Sequence, residues 1–343
     1  MRTPWSGATS KLNLALQGGG AHGAFTWGVL DALLADGNLV FDGVSGTSAG
    51  AMNAVVLAQG LMEGGNEGAR SALRRFWTAV ADSLPFDVAV PRADGAGFEL
   101  APAMRLMLQW THYFSPEQLN PFDLNPLRDV LRAQLDIGAL RRRAPVQLFI
   151  ATTEANSGKL RLFRNADLSL EAVLASACLP RLHRSVVIDG QPHWDGGYAA
   201  NPAVYPLLLE TATRDTLLVM LTPLRYSATP QSVQDIEHRM QELAFNATFL
   251  REMRMFAHLQ ERIGQIAWWR RGPLERRLAR AHFHAIEPDA SMVDMGTDTK
   301  AAASRRFFEL LFELGQAGGR RWLEHHRGAL GQRSTVALSE LFY

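Results

Sequence analysis

A serine hydroxyl attacks a carbonyl usefully only when the backbone presents it, a base takes its proton, and donors stabilise the oxyanion it creates. The chain of 343 residues offers a residue set for each task. Ser48 stands in Gly46-Thr47-Ser48-Ala49-Gly50, a G-x-S-x-G pattern. There a strand-to-helix turn would lift the hydroxyl above a sheet edge, with Gly46 and Gly50 leaving room for the turn. Asp195 precedes Gly196 and Gly197. An aspartate before two glycines is ordinarily a turn residue, but a serine nucleophile needs a base, and a partly desolvated carboxylate can be one. Gly18-Gly19-Gly20-Ala21-His22-Gly23 would let backbone N–H groups converge beside a helix N-terminus, which suits an oxyanion or a phosphate.

The surrounding pattern supplies the elements that must position these residues. Leu12 to Gln17 reads as a strand, and Ala24 to Leu34 has helical spacing, so the glycine run joins a strand to a helix. Phe41 to Ser45 reads as a second strand and Ala49 to Gln59 as a buried helix. Two strand-loop-helix units would therefore set an anion cradle and a nucleophile side by side at the carboxyl edge of one sheet. An amphipathic helix is predicted over 66–81. Residues 84–126, rich in Pro and aromatics, read as a loop-rich insertion or an apolar cap over the site. A helix over 125–135, a solvated Arg141-Arg142-Arg143 face and a strand over 146–153 follow. Strand 159–163 pairs back on that one, a helix spans 170–177, and a hairpin turns at Asp189-Gly190 before Asp195. Thr216 to Leu221 and His282 to Ile286 read as strands, and Val233 to Gln265 and Ser304 to His325 as long helices. Core packing accounts for the stripe Ile236, Met240, Leu243, Phe249, Met253, Phe256, Leu259, Ile263 and Ile266.

Composition narrows the function classes. Hydrophobic residues make up 47% and charged residues 20%, ordinary for a globular protein. A net charge of +1 gives no nucleic-acid footprint. Cys178 is the only cysteine, so no internal disulfide forms, and it reads as a small buried hydrophobe. Residues 1–11 lack a secretory apolar core and read as a mobile arm, which with the lone cysteine points to a cytoplasmic protein. Trp268-Trp269-Arg270-Arg271 pairs aromatics with cations, a composition for peripheral contact with an anionic membrane or for a partly buried helix end. No metal-ligand spacing is present: His325 and His326 are adjacent, and H-E-x-x-H is absent.

Two rival readings use the same residues. Gly18, Gly20 and Gly23 also fit a dinucleotide-binding G-x-G-x-x-G with Asp36 or Asp42 as ribose acid, although the second strand here runs on into the serine turn. A Ser-His-Asp triad would take Asp195 with His282 or His284, in α/β-hydrolase order. His193, two residues before Asp195, is expected to face away from it.

With the three glycine-bearing motifs in this order, the chain resembles the patatin-like phospholipases over roughly residues 12–210. Ala175-Ser176-Ala177-Cys178-Leu179-Pro180 with Val186, and Asn201-Pro202, also resemble family segments. The resemblance implies an α/β protein with a three-layer α/β/α fold and a mainly parallel central sheet, with 12–222 read as the catalytic region; residues 223–343, which no family motif covers, read from their spacing as a largely helical region packed on the same domain. The resemblance also implies a lipid acyl hydrolase with Ser48 as nucleophile, Asp195 as base and the N–H groups of Gly18, Gly19 and Gly20 as oxyanion hole, needing no metal or cofactor. A lipid-binding protein without strong catalysis on the same fold is the alternative. His22 stands where many members carry Arg or Lys, so a positive charge near the oxyanion site is expected to depend on pH.

Overall fold

A computed structural model describes residues 9–83, 88–92, 97–111, 113–226, 229–288, 290–293, 295 and 297–343. The first eight residues of the expected arm, and parts of the expected cap, lie outside the described residues.

Leu12 to Leu16 are buried on both faces in β1 (Ser10–Leu16), as a parallel strand between two helical layers must be. Helix α1 (Gly23–Asp36) crosses over to the parallel β2 (Leu39–Gly46). Helix α2 (Ala49–Asp82) holds both expected helices end to end, broken where Gly64 and Gly65 leave helical geometry. Between residues 84 and 126 the chain is more regular than expected. It forms an antiparallel hairpin of β3 (Ala89–Pro91) and β4 (Phe98–Leu100), then α3 (Pro102–Trp110) and α4 (Pro116–Leu119). The prolines mislead here, because Pro102 and Pro116 open helices, where a missing N–H costs nothing. Helices α5 (Pro126–Gln134) and α6 (Ile137–Arg143) lead to β5 (Gln147–Glu154), with β6 (Leu160–Arg164) folded back on it. Next come α7 (Leu170–Ser176), the hairpin β7 (Val186–Ile188) and β8 (Gln191–Asp195), α8 (Tyr205–Leu209) and β9 (Asp215–Val219). The remainder holds α9 (Val233–Gly264), α10 (Pro273–Ala279), β10 (His282–Ile286), α11 (Ala290–Val293), α12 (Arg305–His326) and α13 (Leu338–Phe342).

The sheet runs β10-β9-β1-β2-β5-β8-β7. Its strands are parallel from β10 to β5, β6 and β8 pair antiparallel with β5, and β7 pairs antiparallel with β8. Helices α1, α2 and α12 supply the core on one face, and α8, α9 and α13 on the other, giving three layers, α/β/α. Residues 223–343 thus contribute strand β10 to the sheet, α12 to one layer and α9 and α13 to the other. Among the described residues, no helix is long and apolar enough to cross a membrane.

Helix α9 departs from the expected core stripe. Phe249, Met253, Phe256 and Ile263 are buried, but Ile236, Met240 and Leu243 are exposed, Met240 by 65%. Trp268 and Trp269 are over 70% exposed, so this helix end is not partly buried.

Candidate active site

Ser48 sits between the end of β2 and the first turn of α2 with φ 55° and ψ −124°. That conformation is strained for a residue with a side chain and is what a nucleophile turn requires. The glycines around it are forced by close approach: a Cβ on Gly50 would lie 2.1 Å from Leu16 O, and one on Gly46 2.5 Å from Gly50 O. The turn is tied to the loop after Asp195 and to the end of α7. Thr47 Oγ1 donates to Ala200 O (2.8 Å), Ser45 Oγ to Ala203 O (2.5 Å), and Ser48 N–H to Ser176 Oγ (3.0 Å). Ser48 itself is 9% exposed.

Asp195 ends β8 and is fully buried. Its N–H donates to Cys178 O and its carbonyl accepts from Thr153 Oγ1, each at 2.8 Å. Oδ1 accepts the Gly197 N–H at 2.8 Å. Oδ2 is buried without a hydrogen-bond partner. Burial pushes the carboxyl up to about 7, against the opposing pull of the Gly197 N–H and of Ser48 as hydrogen-bonding neighbour.

The glycine run forms a short 3-10 turn opening α1, and its helix start abuts that of α2: a Cβ on Gly23 would lie 2.6 Å from Ala49 Cβ. Two positive helix ends therefore converge on the site. The Gly18 N–H is already engaged, donating to Asn201 Oδ1 at 2.7 Å. Among the described residues the N–H groups of Gly19 and Gly20 meet no acceptor. Gly20 has φ +57°, and a Cβ there would lie 2.2 Å from Lys300 O. Gly196 and Gly197 follow Asp195 in a 3-10 turn, Gly197 under the Phe245 ring of α9.

His22 overturns its expected role. It is buried, its Nε2 lies 2.8 Å from Thr299 Oγ1, and burial, aided by Lys300, lowers its pKa to about 3. The ring is neutral through the ordinary pH range and supplies no pH-dependent charge.

The rival constellations do not assemble. His284 Nε2 and His282 Nδ1 lie 3.0 and 3.3 Å from Asp215 Oδ1, at the start of β9. That is the opposite edge of the sheet from Ser48, which follows the end of parallel β2. His193 Nδ1 lies 2.9 Å from Thr152 Oγ1. Strand alternation puts residues two apart on one face, against the expectation for His193 and Asp195, but the His193 nitrogen is engaged by Thr152 and no hydrogen bond joins the two side chains among the described residues. The two candidate ribose acids are also occupied: Asp36 pairs with Arg327, and Asp42 accepts the Ala212 and Thr213 N–H groups. A cavity of about 220 Å³ around Arg141, Arg142 and Arg143 lies at the amino edge of the sheet, away from Ser48. Among the described residues no cluster of His, Cys, Asp and Glu is arranged to hold a metal ion. Cys178 is buried, as expected, and burial pushes its thiol up to about 11.

Sequence reading missed Gln17, Ser176 and Asn246 as supports of the site. Asn246 left one trace, a polar residue on the buried side of an apolar helix.

The family model for patatin-like phospholipases matches residues 14–208. The chain belongs to this family, whose general activity is lipid acyl hydrolysis and whose substrates are lipids. The match contains the serine turn, the glycine run and Asp195, and ends before α9. Among solved structures, VipD from Legionella pneumophila is similar at a TM-score of 0.37 and 14% identity, over 97% of this chain and 73% of that one, a likeness too loose to carry an argument. No curated protein matches the chain.

Proposed function

We propose that the protein cleaves carboxylic esters of phospholipids or other acyl lipids through a Ser48-Asp195 dyad and an acyl-enzyme intermediate. The observation that carries this reading is a strained, nearly buried Ser48 beside a carboxylate whose Oδ2 is buried and unpaired. Asp195, with a pKa of about 7, is ionised in a large fraction of molecules at neutral pH yet basic enough to accept a proton.

In the first half-reaction Ser48 Oγ passes its proton to Asp195 Oδ2 and bonds to the ester carbonyl carbon. The oxyanion is held by the Gly19 and Gly20 N–H groups at the positive end of α1. Collapse breaks the ester C–O bond, and the departing alkoxide takes the proton from Asp195, leaving an acyl ester on Ser48. Water then gives its proton to Asp195 and attacks that ester. The second collapse returns the proton to Ser48 Oγ and releases the carboxylic acid.

Of the three glycines first expected in the oxyanion hole, Gly18 serves instead to fix the loop, because its N–H is bound to Asn201. The region over 12–222 carries the chemistry, and 223–343 completes the fold around it. Exposed apolar side chains stand on two helices. Val233, Ile236, Met240 and Leu243 stand on α9 just before Phe245, and Leu106, Met107 and Trp110 stand on α3. They suit peripheral contact with a lipid surface.

Fatty-acid release from mixed phospholipid vesicles by wild type, Ser48→Ala and Asp195→Asn tests the reading. Wild-type release lost by orders of magnitude in both variants is the expected result. An active Ser48→Ala protein would overturn it. Vesicle binding without any release, and no reaction of Ser48 with a fluorophosphonate, would point to the non-catalytic lipid-binding alternative.

A further inference from the structure

Three side-chain amides and three backbone N–H groups meet behind the glycine loop with only one consistent assignment of donors and acceptors. Gln17 Oε1 accepts the N–H groups of Leu221 (2.6 Å) and Thr222 (3.0 Å), so its Nε2 must point the other way, and it donates to Asn246 Oδ1 at 2.8 Å. Asn201 Oδ1 accepts the Gly18 N–H, so its Nδ2 also points to Asn246 Oδ1, at 3.3 Å. All three side chains are buried: Gln17 and Asn201 are 2% exposed and Asn246 8%. A single oxygen on α9 therefore receives two buried NH2 groups. One belongs to the residue that leads into the glycine run and the other to the residue that grips its first N–H.

We infer that Asn246 is a positioning residue for the oxyanion loop, acting as a double acceptor that fixes Gln17 and Asn201 and, through them, the aim of the Gly19 and Gly20 N–H groups. This rests on the dyad reading above and deepens it, because it assigns part of the site to a helix beyond the residues matched by the family model. The argument is one of directed donors. An oxyanion hole works only if its N–H groups are already aimed when charge develops, and a loop of consecutive glycines has no side chains with which to hold itself. Both amide oxygens that face the backbone and the shared Asn246 oxygen are engaged, and loss of that central acceptor leaves two buried donors unsatisfied at once. The same helix presses the Phe245 ring on Gly197 and joins Glu242 to Lys300, whose carbonyl backs Gly20.

The chemistry of the acceptor gives the test its power. Asn246→Asp keeps an oxygen in place for both NH2 groups, and Asn246→Leu keeps the volume but removes it. Turnover per Ser48 titrated with a fluorophosphonate is measured on a soluble ester, together with KM and amide hydrogen exchange over residues 17–23. For Asn246→Leu the expected result is a kcat per titrated site at least tenfold down, KM within about twofold of wild type, and faster exchange confined to the glycine run. Asn246→Asp should stay within about threefold of wild type on each measure. A leucine variant with wild-type kcat per site and unchanged exchange at 17–23 would overturn the inference, as would an aspartate variant that loses as much as leucine. If the leucine variant does not fold, Gln17→Met removes one arm of the relay, and unchanged exchange at Gly18 to Gly20 in that protein would overturn it equally. Hydrogen exchange decides the positioning claim even if Ser48→Ala proves active, so failure of the dyad reading and failure of this one are told apart.

Discussion

Asp195 holds its carboxylate to Gly197 through one oxygen, with Oδ1 accepting the Gly197 N–H at 2.8 Å and Oδ2 left buried and unpaired. The bonded oxygen holds the turn, and on the dyad reading proposed above the unpaired one receives the Ser48 proton.

The first consequence is a pH profile. As a base, Asp195 must be ionised, so kcat/KM should rise with pH and reach half its maximum near 7, where burial places the carboxyl. Asp195→Asn should lower kcat by about 10²–10⁴ and abolish the inflection. A wild-type profile flat between pH 5 and 8 would contradict the assignment.

Stability should run the opposite way to activity. The folded pKa of Asp195 is raised from 3.8 to about 7, so its contribution is fully present below pH 3.8 and is lost as pH rises through 7. Asp195→Asn should therefore raise Tm relative to wild type at pH 8, by an amount on the order of 1–3 kcal/mol in stability that shrinks toward pH 4. His22, lowered from 6.5 to about 3, acts in the other sense: its contribution is complete above pH 6.5 and is lost as pH falls toward 3. Thermal scans across pH 4 to 8 separate the two.

The apolar rim predicts a split between substrates. Met240→Glu combined with Trp110→Glu should reduce hydrolysis of vesicle lipid about tenfold or more and leave a monomeric short-chain ester unaffected, since neither residue touches the reacting atoms. Trp268→Ala with Trp269→Ala should change neither. From Asn246 at the site, α9 runs to Gly264 at the other edge of the sheet, about 27 Å at helical rise, and these tryptophans follow it. Equal loss on both substrates in the rim variant would argue against lipid contact there.

Packing of α12 on α1 tests whether residues 223–343 fold with 12–222 as one unit, as we propose. A Cβ on Gly315 would lie 2.0 Å from Phe25 O, so Gly315→Ala should destabilise the whole protein by about 1–3 kcal/mol. Gly264→Ala, with nothing within 4 Å, should be neutral or slightly stabilising. Two separate unfolding transitions in Gly315→Ala would mean that the regions fold independently.

What the sequence determined by itself was local. Glycine spacing around Ser48, apolar runs of strand length and 3.6-residue periodicity specify strand, turn and helix within a few residues of one another, so the placement of Ser48 at the end of β2 and the alternation behind the parallel sheet were legible. Asp195 was legible as a turn residue, and the need of Ser48 for a base together with the motif order suggested more. Tertiary structure decided everything that depends on contacts across the chain. It buried Asp195 and so raised its pKa, buried His22 and so neutralised it, and spent the Gly18 N–H on Asn201. It also sent His282 and His284 to the wrong edge of the sheet for a triad. Asn246, 229 residues from its partner Gln17, could not be read locally, because a hydrogen bond between distant residues leaves no periodicity behind. The exposed half of the α9 stripe was invisible for the same reason: spacing reveals which residues share a helix face, and only the packed neighbours decide whether that face is covered.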